Sequence, residues 1–287
     1  MAKDKHRYVS VDDVYRTAGI TSTVVSRQNV ESHVERAEVF ACRLTKTIYY
    51  KYNLEEESVS SATDDTLTGD GVSWSVNEWK GQYVKLTSGT GSGQIRKILT
   101  NTSSSLTLDR EWSTNPDSTS TFSIFYVPKT FNPRKDFSGE DCLDGNGRRD
   151  YILPFYPLVK VEELVVADVT VTPSSLHIYK NEGRIYLSRE SEQQTFINSY
   201  PKQLSIVYWY GVDSLPGDVA RLTEIKASLQ LLQQQMGGTF DVPSTFSLPD
   251  LNVSIGQAYI NIKGTVDVLQ REYDDLITRI KIYPVFA

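Results

Sequence analysis

The 287-residue sequence has few cysteines, methionines and histidines, and it has no long apolar run. Its two cysteines, Cys42 and Cys142, leave a disulfide open, but their small number favours an uncrosslinked chain folded in the cytoplasm. No apolar run approaches the roughly 20 residues that cross a bilayer. The first residues also lack the apolar segment typical of signal peptides. We therefore predict a soluble protein with no membrane contact.

The sequence also lacks any concentration of positive charge. Its formal net charge is -6, and its 30 lysines and arginines are spread along the chain. Neutralisation of DNA phosphates is therefore disfavoured as an activity, whereas a surface that DNA passes without adhering is compatible. What the sequence does have is tyrosine, 17 residues, together with many serines and threonines. This composition is typical of β-rich structure with large lateral contacts.

One glycine-rich segment, Gly89-Thr-Gly-Ser-Gly93, resembles a phosphate-binding loop. A nucleotide P-loop requires a lysine directly after its last glycine, between a strand and a helix. Gln94 stands in that place, and the residues that follow are β-branched or rich in serine and threonine, which disfavours a helix. The spacing also differs from the dinucleotide fingerprint G-x-G-x-x-G. The segment is predicted to be the bend of a β-hairpin.

Metal-binding and nucleophilic patterns are missing as well. The histidines His6, His33 and His177 are scattered and have no Cys/His/Asp spacing suited to a tetrahedral site. Asp144 and Asn146 resemble the start of a calcium loop, but the later ligands of that loop are lacking, so a turn is favoured. No G-x-S-x-G motif is present. We predict no catalytic, cofactor-binding or metal-binding residue and no enzyme activity.

Two pairs of consecutive acids, Glu162-Glu163 and Asp274-Asp275, come nearest to an acid/base couple. Consecutive residues on a strand point to opposite faces, and the second pair falls on the outer surface of a predicted helix. Neither pair is therefore placed for acid/base chemistry. All four side chains are predicted to be solvated.

Apolar periodicity predicts helices towards both ends of the chain. Residues 10–19 begin with a hydroxyl N-cap and end in glycine, which indicates a short helix. Residues 26–49 and 216–238 repeat apolar side chains at spacings of three and four. Both segments are predicted to be helices that pack through one face.

The segment 55–127 has no helical period and consists of short β-type runs separated by turn residues. It is predicted to be an inserted β module, entered through a polar linker at 53–65 and left through a second linker at 127–136. A further antiparallel β region follows. There, Tyr208 and Tyr210 share one face of a strand and Trp209 takes the other, which suits a sheet buried on both sides.

The end of the chain is predicted to form an extended arm over 240–257 and a final helix. The helix carries apolar residues at heptad spacing, and such a seam needs a covering surface, either the chain's own core or a neighbouring subunit. The residues predicted to bind a partner are Ile262, Val266, Leu269, Tyr273, Leu276, Ile280, Tyr283, Val285 and Phe286.

Together these patterns predict an α+β protein. It combines a helical bundle and an antiparallel β region with an inserted small all-β, barrel-like module and an extended C-terminal arm and helix. The predicted parts are 1–54 (N-terminal helices), 55–127 (inserted β module), 128–238 (β region and core helix) and 239–287 (C-terminal arm and helix).

The order of these parts resembles the head–tail connector, or adaptor, proteins of tailed bacteriophages. The resemblance rests on the strand pair DGNGRRDYILPFYPLVKVEEL and on the strand end Tyr208-Trp-Tyr-Gly211, which is followed by the helix of VDSLPGDVARLTEIKASLQLL. It covers residues 10–52 and 136–287. Residues 79–126 are similar to a small β module of several phage structural proteins, although most connectors of this family lack such an insertion.

This resemblance implies a structural virion protein that forms a ring, a dodecamer, beneath the portal protein. The ring would extend the DNA channel and offer a platform to tail, stopper or nozzle proteins, and DNA would pass through the lumen without sequence-specific binding. The protein would be located in the neck of the virion after assembly in the host cytoplasm. The apolar seam and the end of the chain would dock on the portal or on an adjacent subunit.

A carbohydrate-binding or fibre-associated virion protein is the alternative, with Trp74, Trp79 and Trp112 of the β module as sugar-stacking platforms. Core positions in a small barrel are the favoured interpretation of these tryptophans. A hydrolase is a third and less favoured interpretation.

Overall fold

The computed structural model describes residues 7–188, 195–196, 202–239, 246–248, 251–253 and 256–282. The chain divides into two compact units. The helical unit comprises residues 1–45 and 215–287, and the β unit comprises residues 46–214. The protein is thus α+β, as predicted. No helix in the described ranges is long and apolar enough to cross a membrane.

Six antiparallel strands of the β unit close into a barrel, in the order β1-β2-β5-β4-β3-β6. Side chains that point inward from these strands, with Trp79 and Trp112, form its hydrophobic core. The barrel-like module of the prediction is therefore confirmed. The strands are β1 Lys51–Ala62, β2 Thr66–Gly69, β3 Tyr83–Ser88, β4 Ile95–Asn101, β5 Ser105–Leu108 and β6 Thr121–Tyr126.

The predicted entry linker at 53–65 is wrong over most of its length, because these residues belong to β1, the longest strand of the barrel. This strand pairs with β6 through its first part and with β2 through its last part. Register shifts on both sides of Leu54 and between Val59 and Ser61 interrupt its alternation. A polar strand whose period of two is broken by bulges carries little signal in the sequence.

The rest of the β unit forms two further sheets, ordered β10-β9-β13-β7 and β11-β12-β8. The predicted exit linker is also partly wrong, because its last residues belong to β7, which pairs with β13. Tyr208, Trp209 and Tyr210 on β13 are all buried, which confirms a strand covered on both faces. The strands are β7 Arg134–Phe137, β8 Asp150–Ile152, β9 Leu158–Val166, β10 Val169–Thr170, β11 Leu176–Tyr179, β12 Arg184–Leu187 and β13 Leu204–Tyr210.

Four helices make up most of the described helical unit, and α3 packs against α1, α2 and α4. The ends of α1 follow the sequence signals, since the Ser10 side chain accepts a hydrogen bond from the Asp13 amide and Gly19 adopts a left-handed conformation. The helix predicted to run towards Tyr49 ends instead at Thr45, before Lys46 with φ 57°. The helices are α1 Val11–Ala18, α2 Arg27–Thr45, α3 Gly217–Thr239 and α4 Gly256–Ile282.

The segment predicted to be an extended arm contains two short strands, β14 Phe246–Leu248 and β15 Leu251–Val253, which pair antiparallel. The predicted arm and the predicted helical-bundle geometry are therefore not confirmed by the described residues.

Candidate functional site

The most unusual group of side chains in the β unit surrounds the carboxylate of Glu162 on β9. Its Oε1 accepts hydrogen bonds from Trp209 Nε1 at 2.8 Å and from Arg110 Nη2 at 3.1 Å. Its Oε2 accepts one from Arg134 Nε at 2.8 Å, and Arg96 Nη1 lies 4.0 Å from Oε1. The prediction that Glu162 is solvated is therefore wrong. One glutamate joins cations of the barrel to the four-stranded sheet.

A β-bulge explains why the alternation rule misjudged this residue. In the pairing of β9 with β13, Val161 faces Tyr208 and Glu163 faces Val207, so Glu162 is the additional residue between them. A bulge re-aims the side chain of the residue that it inserts. Glu163 is exposed, as predicted. No feature of the sequence around Glu162 marks the bulge.

The opposite charges in this cluster favour the ionised form of Glu162. Burial by itself raises the pKa of Glu162, but the hydrogen bonds from Trp209 and Arg134 and the charge of Arg110 hold that pKa below its ordinary value. Burial and the adjacent charge of Arg110 lower the pKa of Arg96 to about 10. Burial likewise lowers the pKa of Arg110, which the charge of Glu162 opposes. At neutral pH the cluster therefore holds one carboxylate among three guanidinium groups.

An aromatic layer beside this cluster also joins the barrel to the sheet. Tyr83 on the outer face of the barrel meets Trp209 edge to face, with ring centroids 5.7 Å apart. Phe125 stacks on Tyr83 at 5.4 Å and on Tyr50 at 4.3 Å. Such pairs stabilise by about 0.5–1.5 kcal/mol each beyond the burial of their area. The charged cluster and the aromatic layer together fix the barrel against β13.

A cavity of about 670 Å³ opens next to the Glu162 cluster. Its walls come from the barrel, from the connection between the barrel and β7, and from Trp209. Several of its lining side chains are cationic, including Arg110 and Arg134. Charged and aromatic side chains therefore line this cavity together.

The glycine-rich segment is the bend between β3 and β4, so the hairpin prediction is confirmed. Gly89 has φ +73°, and a Cβ added there would lie 2.4 Å from the carbonyl oxygen of Thr119. The glycine is thus required by a close approach of two backbone segments. No helix follows the bend, since the chain continues as β4.

The three tryptophans considered as sugar-stacking platforms of a carbohydrate-binding protein lie mainly in the barrel core. Trp79 and Trp112 are buried, which confirms the core interpretation for both. Trp74 is partly buried and packs edge to face against Trp79 and Phe122. The two buried rings therefore present no face on which a sugar could stack.

Four of the residues predicted to bind a partner, Leu269, Tyr273, Leu276 and Ile280, are buried within the helical unit, where α4 packs against α3. Ile262 and Val266 are half-buried. The remaining three, Tyr283, Val285 and Phe286, lie outside the described residues. The part of the seam that is described is therefore covered largely by the same chain, and its docking on a partner stays a prediction.

Polar contacts hold α4 in this position. Arg221 of α3 forms a two-pronged ion pair with Glu272, through Nε at 2.7 Å and Nη2 at 2.9 Å. The ammonium of Lys226 lies over the rings of Phe40 and Tyr273, at 4.9 and 5.1 Å. Guanidinium–carboxylate forks combine charge with fixed geometry. The ion pair between Arg221 and Glu272 therefore helps to fix the orientation of α4 on α3, in addition to the apolar contact between the two helices.

The other residues considered from the sequence have structural roles. His33 is buried, and its Nε2 lies 2.8 Å from Gln234 Oε1. Asp144 and Asn146 accept backbone hydrogen bonds from Lys202 and Arg148, as turn residues do. Asp274 and Asp275 are exposed, as predicted, and both cysteines are free. The described residues contain no group of three or more His, Cys, Asp or Glu side chains arranged to hold a metal ion.

Comparison with known proteins does not place the chain in a family. No protein-family model matches the sequence, and no curated protein is found to be similar to it.

Proposed function

We propose that this protein is a structural component of a tailed-phage virion: a head–tail adaptor that forms a ring beneath the portal and carries no enzyme activity. The observation that carries the proposal is the organisation of the chain. Both of its ends contribute to one helical unit, and a β unit with its own closed barrel is inserted between them. Apart from the barrel, this order of N-terminal helices, β region and following helix is the one on which the resemblance to connector proteins rests.

The charged cluster of the β unit also favours a structural role. Glu162 and its cations join the barrel to the sheet through direct hydrogen bonds. Groups with shifted pKa values occur both in catalytic sites and in structural ion-pair networks. Here the lowered pKa of Glu162 comes from hydrogen bonds and charges of its own neighbours, as in an ion-pair network that joins two sheets.

In the proposed ring, the helices form a bundle and the C-terminal segment acts as an arm towards a neighbour. Rings arise from head-to-tail contacts that close by rotation, so each subunit must offer one surface to the next. On α4, Val268 is 62% exposed, and Ile262 and Val266 are half-buried. These residues and Tyr283, Val285 and Phe286 are the apolar groups of this region that we assign to subunit or portal contacts.

The proposed partners are other copies of the chain, the portal protein, and tail, stopper or nozzle proteins. DNA passes through the lumen of the ring and is not bound by sequence. The net charge of -6 supports this part of the proposal, because a protein with a net negative charge does not attract DNA phosphates. The proposed location is the neck of the virion, after assembly in the host cytoplasm.

Removal of residues 283–287 tests the docking role, because it leaves α4 complete to Ile282. We expect the shortened protein to fold as the full chain does and to bind the purified portal ring of the same virus at least about tenfold more weakly, through lost apolar contact. Cosedimentation with the portal ring measures the binding. The matched control is Thr278→Ser, an exposed position of α4 at which binding should not change. Unchanged binding by the shortened protein would remove the docking role of these residues.

A further inference from the structure

The wall of the cavity beside the Glu162 cluster carries more cationic than acidic side chains. The volume of the cavity, about 670 Å³, lies in the range of pockets that hold small organic ligands. Four cations line it, Lys97, Arg110, Lys129 and Arg134, against one acid, Asp109, among the described residues of its wall. The chain as a whole has a net charge of -6. The excess of cationic side chains in this wall is therefore a local feature and does not follow from the amino-acid composition of the whole chain.

Several donors in this wall have no acceptor in the described part of the protein. Arg110 binds Glu162 and the carbonyl of Ile95 through Nη2, which leaves its Nε and Nη1 without a described partner. Arg134 uses Nε for Glu162 and Nη1 for Asp136, and its Nη2 remains. Two residues that line the cavity thus have guanidinium N–H groups that the described ion-pair network does not use.

The two lysines add charge from the rim. Lys97 on β4 and Lys129 after β6 are exposed, and neither ammonium pairs with any residue that the structure describes. Asp109 offsets part of this charge, and its Oδ1 accepts a hydrogen bond from the backbone amide of Lys97 at 2.9 Å. Glu162 and Asp136 pair with the two arginines, so the positive charge that has no described ion-pair partner at the cavity comes from Lys97 and Lys129, with Asp109 beside them.

Neutral groups complete the wall. The Oδ1 of Asn132 accepts a hydrogen bond from the backbone amide of Arg134, which leaves its Nδ2 as a further donor. Thr130 contributes a hydroxyl, and the half-buried ring of Phe131 gives the cavity an apolar side. Trp209, with Arg110 at 5.7 Å over its ring, belongs to the same wall. The site combines anion donors with a surface for an apolar or aromatic group.

A phosphate group fits this combination better than a carboxylate does. Phosphate offers three strong acceptor oxygens and close to two negative charges at neutral pH. Guanidinium groups bind it through paired N–H donors, and lysines bind it as point charges. A carboxylate has two oxygens in one plane, and Glu162 already fills that role for the two arginines. Donors from two arginines and two lysines call for a ligand with more oxygens and more charge.

We propose that this cavity binds the phosphate group of a small organic phosphate, with Arg110, Arg134, Lys97 and Lys129 as donors and Phe131 against the organic part. The inference goes beyond the proposed function and does not depend on it. A protein that forms a ring but binds no organic phosphate would contradict this inference alone. A protein that binds an organic phosphate but forms no ring would contradict the proposed function alone.

Calorimetric titration of the full chain with AMP and with inorganic phosphate at low ionic strength tests the proposal. Tryptophan fluorescence gives a second readout, because Trp209 lines the cavity. The double substitution Lys97→Gln and Lys129→Gln is expected to weaken the affinity for AMP by at least about tenfold, through loss of two charge-assisted contacts. The matched control Lys80→Gln removes an exposed lysine of the barrel that does not line the cavity, and should leave the affinity unchanged.

Phe131→Ala separates the two parts of the site. It should reduce the affinity for AMP towards that of inorganic phosphate and leave the binding of phosphate itself unchanged. Absence of binding by both probes, or equal binding of AMP to the wild type and to the double variant, would overturn the proposal. Binding of a 12-base-pair DNA duplex alone would also overturn it, and would assign these cations to a nucleic-acid backbone.

Discussion

Replacement of Glu162 by glutamine tests whether this residue holds the β unit together. Glutamine keeps the shape of the side chain and one acceptor oxygen, but it removes the negative charge that faces three arginines. The carboxylate accepts hydrogen bonds from Trp209, Arg110 and Arg134, and its side chain is only 18% exposed. The substitution therefore leaves buried or half-buried cations without their counter-charge.

The expected loss is about 3 kcal/mol in the free energy of unfolding of the β unit. Removing one partner of a buried ion pair costs about 3–5 kcal/mol, and the partial exposure of Glu162 places it at the lower end. With a urea dependence of about 2–3 kcal/mol per molar, the unfolding midpoint should fall by about 1 M. The neighbour Glu163 is exposed, so Glu163→Gln should change the stability by less than about 0.5 kcal/mol.

Tryptophan fluorescence during urea unfolding is the appropriate assay. All four tryptophans, Trp74, Trp79, Trp112 and Trp209, belong to the β unit, so the signal reports this unit alone. Equal stabilities of the Glu162→Gln and Glu163→Gln proteins, both within about 0.5 kcal/mol of the wild type, would refute the reasoning.

The pH dependence of the stability gives a second test of the charge on Glu162. The pKa of Glu162 is lower in the folded protein than its ordinary value. Its stabilisation should therefore be complete above the ordinary carboxyl pKa and should be lost as the pH falls through the lowered folded pKa. The difference in stability between the wild type and Glu162→Gln should shrink as the pH is lowered from 6 towards 3. A difference that stays constant over this range would contradict an ionised Glu162.

Two further predictions concern the hairpin and the last helix. Gly89→Ala should destabilise the β unit by about 3 kcal/mol in the same fluorescence assay, since its Cβ would meet a backbone oxygen, whereas Gly81→Ala, which has a similar positive φ and open space, should cost about 1 kcal/mol. Equal costs would show that the close approach is not rigid. Leu276→Ala should lower the stability of the helical unit by about 3 kcal/mol, monitored by circular dichroism, and the exposed Val268→Ala by less than about 0.5 kcal/mol. Similar small effects would mean that α4 does not pack on its own chain in solution.

Local signals were sufficient for many elements of the fold. The hydroxyl cap and the terminal glycine of α1 define both of its ends, and the apolar period of α3 predicts its extent within one residue at each end. The short alternating runs between 79 and 126 predict four of the barrel strands. These elements are visible in the sequence because neighbouring residues along the chain decide them.

The parts that the sequence did not reveal depend on contacts between distant residues. Glu162 sits at a bulge, and its partners come from the barrel, from β7 and from β13, so neither its neighbour Glu163 nor its spacing indicates burial. The strand β1 was not predicted from the sequence because bulges break the alternation of its side chains. The seam of α4 shows that a covering surface exists, but a heptad pattern does not say whether the same chain or another one supplies it.

The size and shape of the purified 287-residue protein test the proposed function most directly. Negative-stain electron microscopy, combined with native mass spectrometry, distinguishes a closed ring from smaller forms. We expect a ring of twelve copies with a central hole, either for the chain alone or on addition of its portal. A protein that stays monomeric at high concentration and also fails to bind the portal, or one that forms a compact trimer, would contradict the proposal.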